Sequence, residues 1–284
     1  MSIFEKFFGY FKDAEGNLEQ FNDGLGNGFF DIRHLLWIIF TIIIIVILLK
    51  ASKKHKEEVN KFCRGVLIFM FFQRLINQLV RTILMVEHPF WRAIFPIHLC
   101  SIMIYLLPIV VTFDIKKLKK PVYFFSVLGG VITIIDGDYF SSLFMPFGTI
   151  EGIFAHTVIT VASITLMHNA KEHFEYKDVA TISKMIVVFA LWATMFNMIL
   201  LRIGQHPNYL YLVRNMLPFG GKYFVYIYLI ILVFLIFSTY ILNNSKNLKK
   251  VKEDLSKNKK KIFVASILVI IYTFILIILN NLFV

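Results

Sequence analysis

The sequence predicts an all-α protein that is a polytopic transmembrane helical bundle. Hydrophobic residues make up 58% of the chain and charged residues 17%, whereas about a quarter of the residues of soluble domains are charged. Apolar runs recur along the chain, and a run of about 18 residues or more is long enough to cross a membrane as a helix. A soluble globular fold is therefore excluded.

About eight stretches are expected to span the membrane. They cover residues 32–50, 63–86, 97–114, 122–136, 153–170, 185–202, 222–242 and 262–283. The fourth stretch is short for about 30 Å of hydrocarbon, so its helix is expected to extend into the flanking residues. The spans divide the chain into an N-terminal interfacial segment (1–31), a seven-span catalytic or binding bundle (32–242), a basic cytoplasmic loop (243–261) and an additional C-terminal span (262–284).

Lysine and arginine residues indicate the orientation of the spans. They concentrate in the segments that follow the odd-numbered spans, at residues 50–64, 116–120, 171–184 and 246–261. Because cytoplasmic loops are enriched in these residues, both termini are predicted to lie outside. The net charge of +12 then belongs to a surface that faces anionic lipid headgroups, and nucleic acid is not an expected partner.

The N-terminal segment is predicted to form a short interfacial amphipathic helix. Phe4, Phe7, Phe8 and Phe11 recur at the spacing of one helical face, with charged residues among them. No basic start followed by a small-residue cleavage site precedes the first span, so a cleaved signal peptide is not expected.

The second span carries a polar stripe. Arg74, Asn77 and Arg81 recur at helical spacing, with Gln73 beside them. Charged groups at the bilayer centre cost at least about 2.5–3.5 kcal/mol, so they usually face a bundle interior or a wet cavity. Two interpretations remain open, namely structural pairing inside the bundle and binding of a lipid phosphate or carbonyl by the guanidinium groups.

A thiol and an imidazole are predicted to meet on the outer side. Cys100 and His156 each lie about one turn inside the outer end of their spans, which run in opposite directions. His98 is two residues from Cys100, about 200° around a regular helix, and is not its expected partner. Cys63 lies near the inner end of its span, too far away for a disulfide. Cys100 is therefore expected to be a free thiol, as buried core cysteines also often are.

Other polar residues map to the same outer half. His34 opens the first span, where an interfacial role and a site role are both open, and Asn208 and Tyr209 lie in the outer loop after the sixth span. The acidic stretch from Asp136 to Tyr139 lacks the spacing of a calcium loop and is predicted to be a turn.

A Cys–His pair can perform acyl transfer through a thioester, with backbone amides or Asn208 stabilising the oxyanion. No cofactor is required for this chemistry. The competing chemistry is a zinc site formed by Cys100, His98 and His156, for which the sequence lacks a recognised ligand spacing.

The stretch Pro96-Ile97-His98-Leu99-Cys100 resembles the proline–leucine–histidine–leucine–cysteine signature of the YwaF-like family, which includes eukaryotic transmembrane protein 164. The span that contains His156, the stretch Asn208–Leu212 and the histidine at position 34 also resemble family features, in order, over roughly residues 30–240. The chain departs from the family at Ile134-Ile135-Asp136, where a threonine–proline–aspartate stretch is usual, and in its eighth span.

The resemblance implies a helical bundle whose eukaryotic member is a cysteine-dependent acyltransferase acting on phospholipids. Carried over by position, it implies Cys100 as the nucleophile, His156 as the base and His98 as a supporting group. The expected substrate is an outer-leaflet phospholipid of the cell membrane, and the acceptor is a lysolipid or a lipoprotein amine. The alternatives are a lipid hydrolase, and a transporter or lipid-binding protein whose cavity is lined by Arg74, Asn77 and Arg81. A structural or assembly role has no positive sign in the sequence.

Overall fold

A computed structural model describes residues 7, 10–12, 18–20, 23–84, 96–202, 224–264, 267 and 271. Within these residues the protein is helical apart from one short hairpin. The helices are α1 (Ile32–Ser52), α2 (Lys56–Leu84), α3 (Leu99–Thr112), α4 (Lys116–Asp136), α5 (Phe147–Ala170), α6 (Tyr176–Arg202), α7 (Phe224–Asn243) and α8 (Leu248–Lys257). Among the described helices, five are long and apolar enough to cross a membrane, and α3 and α7 contribute shorter apolar helices. The protein is a multi-pass helical membrane protein.

The helices follow the predicted spans, and four of them, α2, α4, α5 and α6, begin six to nine residues earlier than predicted. Helix α4 begins at Lys116, six residues before the predicted fourth span, which gives it the 21 residues that a crossing requires. Residues 259–264 are helical at the start of the predicted eighth span, and most of that span lies outside the described residues. The number of crossings and the outward orientation of the termini remain predictions.

The chain forms two compact units, residues 1–172 and 173–284. In the first unit, α5 is the central helix and packs against α1, α2, α3 and α4. The most apolar stretch of α5 is 78% buried, against 11% for that of α1. Such a difference is expected when α1 faces lipid and α5 fills the bundle interior, so α5 is the scaffold on which the other helices assemble.

In the second unit, α6 and α7 pack together and α8 follows in the predicted basic cytoplasmic loop. The Tyr240 hydroxyl on α7 donates to Asp254 on α8 (2.8 Å). The Asn244 side-chain amide donates to the Phe174 carbonyl (2.7 Å). These bonds connect α7 to both of its neighbours along the described chain.

The N-terminal segment differs from the predicted interfacial helix. Tyr10–Lys12 pairs antiparallel with Leu18–Gln20, so Phe11 lies in a strand, and Phe7 is the only described residue before this strand. The predicted amphipathic helix therefore cannot continue through Phe11. Gly16-Asn17 lies between the two strands in sequence, and such turn-forming residues favour a hairpin over a helix that continues past Phe11.

A two-glycine step brings α4 against α5. A Cβ atom at Gly130 would lie 2.0 Å from Thr160 Oγ1 and 2.9 Å from the His156 carbonyl oxygen, so only glycine fits there. The neighbouring Gly129 faces Cys100 at ordinary van der Waals distance. The pair thus acts as the close-packing device that small residues provide between membrane helices.

Gly130→Ala is expected to destabilise the protein by about 1–3 kcal/mol, because the added methyl group must displace the α5 backbone or Thr160. Thermal unfolding in detergent measures the change. Gly65→Ala is the control, since a Cβ there meets nothing within 4 Å and alanine is the better helix former. Equal stability of the two variants would contradict the close packing.

Asp23 before α1 and Arg33 in its first turn hold the start of α1 to the loop before α5. Asp23 accepts from the backbone amides of Leu143 (3.0 Å) and Phe144 (3.1 Å). Arg33 pairs with Asp31 (2.7 Å) and donates to the carbonyls of Ser142 and Leu143. Asp31 is also the N-cap of α1. These contacts therefore fix the loop that leads into the central helix.

These carboxylates should make stability dependent on acid. Hydrogen bonds from the Leu25, Phe144 and Leu143 amides lower the pKa of Asp23 from 3.8 to about 2. Hydrogen bonds from Arg33 hold the pKa of Asp31 well below its ordinary value. Because both pKa values fall on folding, the stabilisation is present above pH 3.8 and is lost as the pH falls below it. Unfolding midpoints in detergent between about pH 5 and 2 should fall less steeply in Asp23→Asn than in the unaltered protein.

Candidate active site

Cys100 lies at the start of α3. His98 is the N-cap with extended backbone, the helix begins at Leu99, and Cys100 is its second residue. The first backbone amides of a helix have no partner within the helix, and the amides of Leu99 to Ser101 are the first of α3. The thiol is half-buried and not in a disulfide. It therefore lies where helix amides favour negative charge.

His156 of α5 is the side-chain partner of this thiol. The two side chains interact through the Cys100 sulfur, and the imidazole is 5% exposed. Nδ1 of His156 lies 2.6 Å from the Gly152 carbonyl oxygen, which can only accept, so in the neutral ring Nδ1 carries the proton and Nε2 the lone pair. Nε2 has no regular hydrogen bond to the described residues. The ring thus presents a free base to the thiol.

Tyr139 covers this histidine from the turn before α5. Its ring centroid lies 5.8 Å from that of His156, and a Cβ at Gly152 would lie 2.7 Å from its hydroxyl oxygen. Gly137, with φ of 75°, ends α4 and starts this turn, as predicted for the stretch from Asp136 to Tyr139. The absence of a side chain at Gly152 is therefore what lets the tyrosine ring lie against the imidazole.

The polar stripe of α2 meets a carboxylate on α5. Arg74 Nη1 donates to Glu151 Oε2 (2.7 Å), and Asn77 Nδ2 donates to the same oxygen (2.9 Å). Glu151 is 1% exposed and Asn77 0%. Of the two interpretations of the stripe, structural pairing accounts for these contacts. Arg74 also acts electrostatically on both Cys100 and His156, so the ion pair lies within electrostatic range of the Cys–His pair.

Several buried polar atoms around this ion pair lack hydrogen-bond partners among the described residues. They are Gln73 Oε1, Asn77 Oδ1 and Glu151 Oε1. All three are acceptors. Since buried polar groups are normally satisfied, this set indicates that a hydrogen-bond donor is missing from the described contacts.

The other predicted site residues are placed as follows. His34 is fully buried, and its Nε2 lies 2.7 Å from the Ile134 carbonyl oxygen. Its ring centroid lies 5.3 Å from that of Phe140, which follows Tyr139 in the chain. The backbone of Arg81 continues α2, and its side chain is not described. Asn208 and Tyr209 lie outside the described residues.

The zinc alternative lacks its ligand set. In the described ranges, no three His, Cys, Asp or Glu side chains come together as metal ligands. His98, Cys100 and His156 therefore do not form a three-ligand cluster.

Two residues of the site were not among the predicted ones. Glu151 is the counter-charge of Arg74, and the presence of an arginine inside a span was the signal that one was needed. Tyr139 was placed only in a turn, and nothing in its sequence position indicates that its ring reaches His156.

Comparison with known proteins gives one match. The sequence model of the TMEM164 family matches residues 29–242, about three quarters of the chain. The chain belongs to the TMEM164 family. No curated protein and no solved structure matches. The resemblance predicted from the Pro96–Cys100 stretch is thereby confirmed at the level of the TMEM164 family, and the matched range contains all the residues of the candidate site.

Proposed function

We propose that this member of the TMEM164 family is a membrane-embedded acyltransferase of the cell membrane. It would take an acyl chain from an outer-leaflet phospholipid and pass it to a lysolipid or to a lipoprotein amine. The observation that carries the proposal is the interaction of the Cys100 thiol with His156, whose Nδ1 is engaged by the Gly152 carbonyl so that Nε2 is the nitrogen available to the thiol.

The first half-reaction forms a thioester. His156 Nε2 takes the Cys100 proton, and the sulfur attacks the ester carbonyl carbon of the phospholipid. The oxyanion develops near the amides of Leu99 to Ser101, where helix N-terminal donors favour negative charge. The carbon–oxygen bond then breaks, and the leaving alcohol takes the proton back from His156, which leaves a lysophospholipid and an acylated Cys100.

The second half-reaction returns the free enzyme. The acceptor oxygen or nitrogen attacks the thioester carbonyl while His156 Nε2 receives its proton. The carbon–sulfur bond breaks, and the Cys100 thiolate recovers that proton. Water in place of the acceptor gives the lipid hydrolase by the same steps.

Intact-mass analysis tests the proposal. The purified protein is incubated with phosphatidylcholine vesicles, and an added acyl mass that hydroxylamine removes is expected in the unaltered protein and not in Cys100→Ala. Cys63→Ala is the matched control and should keep the adduct, because Cys63 is buried in α2 away from the histidine. No adduct in the unaltered protein, or an adduct that survives in Cys100→Ala, would reject the thioester route.

A transporter is supported by a separate observation. Ser126, Ser163 and Thr165 are buried side chains whose hydroxyls have no partner among the described residues, and they extend polar groups along α4 and α5 beyond His156. A pathway through the bundle requires such groups. Lipid flux in proteoliposomes that persists in Cys100→Ala would favour this function over acyl transfer.

A further inference from the structure

Only one of the two carboxylate oxygens of Glu151 accepts hydrogen bonds from the described residues. Both of its hydrogen bonds, from Arg74 and from Asn77, end on Oε2. Oε1 is buried and has no partner among the described residues, and neither has Oδ1 of Asn77. Leaving a buried acceptor unsatisfied costs about 1–3 kcal/mol, and more for a charged group. Two such atoms on adjoining side chains indicate a bound hydrogen-bond donor, either water or a ligand.

The chemistry of these atoms defines the ligand. Oε1 and Oδ1 can only accept, so the ligand must donate. Arg74 already neutralises Glu151, so a second cation beside it would meet repulsion from the guanidinium. A hydroxyl group is neutral and donates one hydrogen bond, so one hydroxyl can satisfy one of the two acceptors and two neighbouring hydroxyls can satisfy both.

We infer that Glu151 and Asn77 form a subsite that binds a lipid hydroxyl beside Cys100. The subsite is formed by the helix that carries the polar stripe and the helix that carries His156. Asn77 and Arg74 come from α2, and Glu151 comes from α5. Glu151 precedes Gly152, whose carbonyl contacts the His156 ring. It rests on the proposed function for the identity of its ligand as a lipid. Two kinds of lipid supply such a hydroxyl. A lysolipid carries it on its glycerol backbone, and phosphatidylglycerol carries it on its headgroup.

The test measures protection of Cys100 and needs no turnover. The rate at which N-ethylmaleimide alkylates Cys100 is followed by peptide mass spectrometry in detergent micelles. Lysophosphatidylcholine is compared with its 2-deoxy analogue, which lacks the backbone hydroxyl, and phosphatidylglycerol is compared with phosphatidylcholine, which lacks a headgroup hydroxyl. At about ten times its Kd, a bound lipid should slow alkylation about tenfold.

In at least one of the two lipid pairs, the lipid with the hydroxyl is expected to protect Cys100 from alkylation more strongly than the lipid without it. The pair that shows this difference identifies which lipid supplies the hydroxyl. In Glu151→Gln, the amide oxygen still accepts from Arg74, and an NH₂ group replaces the unpaired acceptor Oε1. The lipids with and without the hydroxyl should then protect Cys100 equally. Asn169→Leu is the matched control and should keep it, since Asn169 joins the same helices through Asn60 at their other end.

Protection that is equal for lipids with and without the hydroxyl would overturn the inference. So would hydroxyl-dependent protection that Glu151→Gln leaves unchanged. If Glu151→Gln fails to fold, the double variant Arg74→Met/Glu151→Leu, which leaves no unpaired charge, takes its place. Alkylation requires only an accessible thiol and no acyl transfer. Absence of the acyl adduct would therefore reject the proposed function, and the alkylation experiment would still test the hydroxyl subsite.

Discussion

His156→Ala is expected to slow acylation of Cys100 by phospholipid about 10²–10⁴-fold, the usual contribution of a general base. The imidazole is the thiol's interaction partner, and its free Nε2 is the atom that would receive the proton. The rate is measured as the growth of the hydroxylamine-sensitive acyl mass with time. Added imidazole should restore part of the rate, because the cavity left by the side chain admits a small base.

The matched control is His168→Ala. His168 belongs to the same helix but is exposed near its other end, so its loss should leave the acylation rate unchanged. An acylation rate in His156→Ala within a few-fold of the unaltered protein would exclude His156 as the base, whatever the fate of Cys100.

Glu151→Leu is expected to cost about 3–5 kcal/mol of the free energy of unfolding, because it leaves a buried guanidinium without its carboxylate. Arg74 pairs with Glu151 at 2.7 Å, and the side chains are 14% and 1% exposed. Asn77 loses its hydrogen-bond acceptor in the same substitution. Chemical unfolding in detergent micelles, followed by circular dichroism, gives the change.

The second arm of this experiment removes both charges. Arg74→Met/Glu151→Leu should recover most of the lost stability, since a buried ion pair replaced by apolar side chains of similar volume is often neutral. Glu172→Gln is the comparison: its pair with Lys120 is longer (3.8 Å) and more exposed, so the change should be about 0–1 kcal/mol. A double variant as unstable as Glu151→Leu would show that the ion pair is not the cause.

The helices were predictable because hydropathy alone specifies them. Stretches such as residues 32–50 consist almost entirely of apolar residues, and α1 covers Ile32–Ser52. The meeting of Cys100 with His156 was predictable as well, since antiparallel spans place residues one turn inside the same boundary at one depth.

What the sequence could not supply is the pairing between helices. Arg74 needed a carboxylate, but nothing in the sequence distinguishes Glu151 at a helix start from an interfacial residue. The phenylalanine spacing near the N-terminus indicated a helix, and the hairpin that contains Phe11 depends on a partner strand further along the chain. Tyr139 reaches His156 only because Gly137 reverses the chain. Each of these depends on tertiary contacts.

The bond between His156 and the Gly152 carbonyl has a consequence for how the site can evolve. In many hydrolytic sites a third side chain orients the histidine, and a single codon change can remove it. Here the orienting atom belongs to the main chain one turn earlier on the same helix, so no missense mutation deletes it while the helix stands. Under the proposed mechanism, the site therefore needs two side chains to be conserved instead of three.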